Sequence, residues 1–146
     1  MKKYLVLSLV CLGLAFTVSA QDDEREKEDS IRLNKKRNVA AVQVGVASYY
    51  HDKFEGRLTA NGDVFTQKEL TAASNTFPLN CWVRVTNLRN DKTVIVRITD
   101  RMHHLNTRLI DLSRTAAAEL NFISRGLTRV KVEYLGKKKP SELVTN

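Results

Sequence analysis

The 146-residue chain is expected to fold as a small, mainly β barrel, and three observations lead there. Apolar and polar residues alternate over four short stretches, the period of strands with one buried face. Only one stretch has helical spacing. The two cysteines, Cys11 and Cys81, supply no disulfide framework once Cys11 is removed with a leader. Short strands with a wet face and no covalent staples gain most by closing on themselves, because closure removes exposed edges.

The chain opens MKKYLVLSLVCLGLAFTVSA. Lys2 and Lys3, an apolar run from Leu5 to Val18 and the small-residue site Val18-Ser19-Ala20 read as a secretory signal peptide over residues 1–20, cut before Gln21. The run is short for a bilayer span, so no transmembrane segment is expected after cleavage. Val10 precedes Cys11 and the apolar run continues past it, so no lipid anchor is expected. Removing a leader that carries two lysines and no acid lowers the net charge from +8 to +6. A basic surface suits an anionic partner, such as a wall polymer or lipid headgroups. Export makes nucleic acid the least fitting of these, and a merely solvated surface is the plain alternative.

Residues 21–38, QDDEREKEDSIRLNKKRN, hold too few apolar side chains to pack a face and read as a charged, flexible linker. Residues 137–146 read as a basic flexible tail, which leaves residues 39–136 as one domain. There, Val42, Val44 and Val46 alternate with Gln43, Gly45 and Ala47. Cys81–Leu88 and Thr93–Thr99 form β-rich runs joined by the tight turn Arg89-Asn90-Asp91-Lys92. Ser113 is placed as a helix N-cap, with Leu112 stapling onto Ala117 and Ala116, Ala117 and Leu120 forming a narrow apolar stripe. Val130, Val132 and Tyr134 alternate with Arg129, Lys131 and Glu133 in a last strand. The expected core holds Val44, Val83, Val85, Val96, Ile98, Val130 and Val132. Cys81 shares a face with Val83 and Val85 and reads as a small buried apolar residue. Trp82 alternates away from that face, to cover a seam or offer a stacking surface.

In VIVRITDRMHH, residues 94–104, Asp100 ends the strand face that carries Val94, Val96 and Ile98. A carboxylate there is costly unless paired, hydrogen-bonded or protonated. Arg97 alternates outward, and either Arg97 or Arg101 is a candidate partner. In GRLTANGDVF, residues 56–65, the Asn61-Gly62 turn displays Asp63. One desolvated acid and one acid on a turn match the general needs of acid–base work on a glycosidic bond.

With GVASYY, GRLTANGD, LTAAS, FPLNCWVRVTNL, VIVRITDR and RLIDLSRTAAAEL in this order, the chain from about Val44 to Leu135 resembles the double-psi β-barrel domain of the rare lipoprotein A family of septal lytic transglycosylases. The resemblance implies a six-stranded double-psi β-barrel with one or two short helices. It implies cleavage between N-acetylmuramic acid and N-acetylglucosamine without water, on glycan strands lacking stem peptides, leaving 1,6-anhydro ends. It makes Asp100 the catalytic acid–base, with its carboxyl raised by a core-face position, and Asp63 its companion. Substrate contacts are expected from Tyr49, Tyr50, Thr59, Asn61, Ser74, Arg101 and His103. Tyr49 and Tyr50, adjacent on a strand, are expected to divide between the barrel and a sugar. The implied protein is an exported monomer of the periplasm or cell envelope, acting on peptidoglycan with no cofactor.

Several positions depart from the family. Asp63 stands for a glutamate and Ser74 for a histidine, Met102-His103-His104 replaces Gly-Pro-Phe, and Asn80 replaces a glycine. No SPOR domain follows within the sequence, so septal targeting by that route is not expected. His51, His103 and His104 lack familiar metal-ligand spacing, and His103 and His104 are expected to point apart, so no metal is expected. The lost histidine keeps a second class open: a non-catalytic wall-binding module resembling expansins and barwin-like proteins.

Overall fold

The computed structural model describes residues 41–141, together with 24, 25, 27 and 28. The leader, its cleavage site, Cys11 and the last five residues lie outside the described residues. Of the expected linker, the four described residues, Glu24, Arg25, Lys27 and Glu28, are helical and exposed.

Six strands build the barrel: β1 (Val42–Tyr49), β2 (Thr71–Ala73), β3 (Trp82–Asn87), β4 (Thr93–Asp100), β5 (Ile110–Leu112) and β6 (Thr128–Gly136). They close in the order β1-β5-β2-β4-β3-β6. The β1–β5 and β2–β4 pairs are parallel, and the others are antiparallel. Val83, Val85, Val96, Ile98, Val130 and Val132 all reach the interior with no exposed surface, and so does Cys81. Phase and turn were therefore read correctly in β3, β4 and β6. The β3–β4 turn places Asp91 at φ 58°, and Asn87 N–H donates to Lys92 O at 2.9 Å.

β1 corrects the expected phase. Val44 is 53% exposed, and Val42 and Val46 are exposed with it, whereas Ala47 is fully buried. The small residues face inward because Leu109 fills the space over them. A Cβ added to Gly45 would lie 2.6 Å from Leu109 Cβ. Gly45→Ala is thus expected to destabilise the barrel by about 1–3 kcal/mol through overpacking, read as a lower urea midpoint at unchanged slope.

The helix α1 (Arg114–Glu119) starts where expected. Ser113 Oγ accepts from Ala116 N–H at 3.3 Å, and Ala116, Ala117 and Leu120 are fully buried. Its end is a Schellman motif. Asn121 takes the left-handed conformation at φ 56°. Asn121 N–H then reaches Ala118 O at 2.9 Å and Phe122 N–H reaches Ala117 O at 3.2 Å. Buried Asn87 locks this corner by donating to Leu120 O at 2.9 Å and accepting from Thr128 Oγ1 at 2.9 Å.

Burial pushes the Cys81 thiol up to about 11. At pH 8 roughly one molecule in a thousand carries the reactive thiolate. Iodoacetamide is therefore expected to leave Cys81 unmodified in native protein at pH 8 and to label it fully in denaturant, as mass spectrometry would read.

Candidate active site

Strand β4 ends at Asp100 and delivers its half-buried carboxylate to the rim of the barrel. Backbone pairing sets its neighbours. Asp100 lies opposite Ala73 of β2, Ala73 opposite Asp111 of β5, and Asp111 opposite Ser48 of β1. Directly paired residues project from the same face of a sheet. Asp100, Asp111 and Ser48 therefore form one polar row across four strands, spaced by small Ala73.

Three donors hold Asp100, and no arginine side chain forms an ion pair with it among the described residues. Oδ1 accepts from Ala60 N–H at 2.9 Å and from Arg101 N–H at 2.8 Å. Among the described residues Oδ2 accepts only from the Tyr50 hydroxyl, at 2.8 Å. These bonds offset the cost of withdrawing a carboxylate from water. Burial, and then the bond to Asp100, push the Tyr50 phenol far above its ordinary range, so it remains a donor at any working pH. Phe54 and Phe65 clasp its ring, with centroids 5.5 and 4.3 Å away.

The turn carrying Asp63 is fastened to the end of β4. Asn61 N–H reaches Thr99 O at 3.1 Å. The Thr59 hydroxyl donates to Asn61 Oδ1 at 2.6 Å, and Asn61 Nδ2 donates to Asp63 Oδ2 and Asn80 Oδ1, both at 2.8 Å. Arg97 then ties the outer side: Nη1 meets Asp63 Oδ2 at 3.2 Å and Nη2 meets Asn80 Oδ1 at 2.7 Å. So Arg97, facing outward as expected, pairs with Asp63 rather than Asp100. Asn80 adopts the left-handed conformation of the glycine it replaces, at φ 63°, and adds a side chain that binds Arg97.

The remaining expected contacts separate. Tyr49 packs edge-on against Phe122 at 6.0 Å, and its hydroxyl donates to Ile123 O at 3.0 Å. Tyr50 runs to Asp100 instead of offering a free ring. Thr59 is buried and Ser74 fully so. The Ser74 hydroxyl donates to Leu109 O at 2.9 Å. Direct sugar contact by Ser74 is corrected to support of the wall behind Ala73, since no surface of the residue is open. Arg101 Nη1 donates to Ser74 O and, at 2.9 Å, to Phe77 O, which pins that loop. His103 and His104 do not point apart. Residues 101–107 form a loop with a turn at His104-Leu105 instead of a strand, and the two exposed rings stack with centroids 4.3 Å apart. Among the described residues no three His, Cys, Asp or Glu side chains are grouped to hold a metal.

Asp111 was missed from the sequence. Ser48 Oγ donates to its Oδ1 at 2.7 Å, and Arg108 grips both oxygens at 2.7 and 2.8 Å. That bond holds the Arg108 guanidinium above its ordinary value. The available signal was weak, a lone acid alternating with Ile110 and Leu112, whereas Asp100 shares the strand phase of Val96 and Ile98.

A closed six-stranded barrel with two parallel strand pairs among antiparallel ones has the architecture of a double-psi β-barrel protein. The profile of the lytic transglycolase family matches residues 42–132, and the chain belongs to that family. Its sequence is 53% identical over 94 residues to the endolytic peptidoglycan transglycosylase RlpA of Haemophilus influenzae, covering 64% of this chain and 33% of that one. It is 44% identical over 98 residues to the RlpA of Campylobacter jejuni, covering 67% and 36%. The chain thus spans about a third of the length of these relatives. Among solved structures, the fold is similar to a Streptomyces papain inhibitor (TM-score 0.53, 24% identity, covering 64% of this chain and 93% of that one). It is also similar to an expansin of Clavibacter michiganensis (TM-score 0.54, 16% identity, covering 68% and 52%).

Proposed function

We propose that the chain is an endolytic peptidoglycan transglycosylase that cleaves bonds between N-acetylmuramic acid and N-acetylglucosamine in strands free of stem peptides. The observation that carries this reading is the asymmetric binding of Asp100. Oδ1 accepts from two backbone N–H groups, while among the described residues Oδ2 meets only a hydroxyl. A hydroxyl can donate to a carboxylate or rotate to accept from a carboxylic acid, so Oδ2 is the oxygen that can gain and lose a proton. In the proposed reaction, Oδ2–H protonates the glycosidic oxygen as the C1–O bond breaks. The muramyl C6 hydroxyl then attacks C1 and returns its proton to Oδ2. The nucleophile belongs to the sugar, so no water-activating base is required, in contrast to hydrolysis. Asp63, bound to Arg97 and Asn61, fixes the turn whose Ala60 N–H orients Asp100, and Asn61 and His103 flank the substrate. The protein works as an exported monomer in the cell envelope and draws on no cofactor for this reaction.

Incubation with stem-free glycan, followed by mass spectrometry, tests the reading. The expected products end in anhydro-muramic acid and are lighter by one water than hydrolysis products. A second reading, a wall-binding module without turnover, draws on buried Ser74 at the family's histidine position, which leaves no imidazole there. Pelleting with insoluble wall and no fragments would favour it.

A further inference from the structure

The outer face of the barrel carries a second surface, remote in character from the polar row. Val46, Leu88 and Leu127, which are 39%, 44% and 54% exposed, floor a shallow depression of about 590 Å³ rimmed by Arg89, Arg125 and Arg129. Exposed Val42 and Val44 extend the apolar strip along β1. Among the described residues none of the three guanidinium groups is in an ion pair. Three unpaired like charges around an apolar floor repel one another, so the arrangement favours an occupant that is anionic and apolar at once.

We infer that this face docks on a bilayer containing anionic phospholipid. The arginines meet the headgroup phosphates, and Val46, Leu88 and Leu127 enter the boundary between headgroups and acyl chains. The depression is open rather than enclosed, which suits a surface more than a single small ligand. A second copy fits poorly, because a two-fold contact centred on the depression brings six guanidinium groups together and its lining holds no acid. The surface includes the β3–β4 turn at the start of β4, whereas Asp100 ends that strand. Seven residue steps at about 3.3 Å put roughly 23 Å along the strand between lipid and carboxylate. The inference does not depend on glycan cleavage.

Protein recovered after export would be sedimented with vesicles of phosphatidylcholine alone or with 30% phosphatidylglycerol, a composition chosen for the test. Binding is expected only to the anionic vesicles, and 0.5 M salt in the assay should weaken it through screening. The triple variant Arg89→Gln, Arg125→Gln, Arg129→Gln should bind about 100-fold more weakly, from the loss of three cationic contacts. Leu88→Ser with Leu127→Ser should also release the protein. Circular dichroism would verify that both variants remain folded. Equal binding to both vesicle types, anionic binding untouched by the arginine variant, or no binding to either would overturn the inference. So would light scattering that shows a dimer abolished by the arginine variant, which would assign the face to a second copy.

Discussion

Asp100→Asn is expected to lower the rate of anhydro-muramic product formation by about 10²- to 10⁴-fold, the usual worth of a positioned general acid–base. The substitution is nearly isosteric. The amide oxygen can replace Oδ1 and accept from Ala60 and Arg101 N–H, and the amide nitrogen can take the place of Oδ2 and donate to a rotated Tyr50 hydroxyl. The turn at residues 59–63 therefore stays attached, and the unfolding midpoint should change little. What is lost is a proton that can move at position 100. Product mass spectrometry beside the unchanged protein separates the outcomes. Cleavage at the original rate by the variant would remove Asp100 from the chemistry and turn attention to Asp63 and Asp111. A loss of both cleavage and the native circular dichroism spectrum would mean that the three donors serve the fold.

Phe122→Ala is expected to cost about 3–5 kcal/mol, the range for truncating a buried aromatic side chain. In a domain of roughly 100 residues this lowers Tm by about 15–30 °C. Phe122 is fully buried. It closes the Schellman turn with its own N–H and supports the Tyr49 ring edge-on. Its loss opens a cavity where α1 meets the end of β1, one residue before Tyr50. Differential scanning calorimetry reads the effect, and Phe122→Leu, which fills most of the volume, should recover more than half of it. A Tm within a few degrees of the original for Phe122→Ala would mean that the corner collapses onto the cavity.

Alternation was enough to place β3, β4 and β6, because in each a run of aliphatic residues occupies every second position and the positions between are mostly polar, Trp82 and Ile95 excepted. Val83, Val85, Val96, Ile98, Val130 and Val132 followed from that pattern, whereas a register shift between Ala72 and Ala73 takes Asp100 off the expected inner face and into the row with Asp111 and Ser48. Ser113 as N-cap was equally legible, since it depends on the chemistry of one side chain and its own backbone. The short strands β2 and β5 have three residues each, too few to show a period. Their partners, and with them the row from Asp100 to Asp111, exist only once the barrel closes.

β1 marks the boundary between the two kinds of information. Its local pattern states that Val42, Val44 and Val46 share one face and Gly45 and Ala47 the other, and that is true. Which face turns inward depends on the room left by Leu109, 64 residues further along the chain from Gly45. A barrel interior accepts volume rather than hydrophobicity, so two small residues beneath Leu109 displace three valines to the outside. The same reason governs Ser74. Its sequence position promised a site residue, but the wall of the closed barrel buries it against the Leu109 carbonyl. The sequence by itself determined the strand periods, the turns and the carboxylate that ends β4. The tertiary structure decided which distant neighbours that carboxylate has, because closing the barrel brings Tyr50, just past β1, to one oxygen and Ala60, in the turn at residues 59–63, to the other.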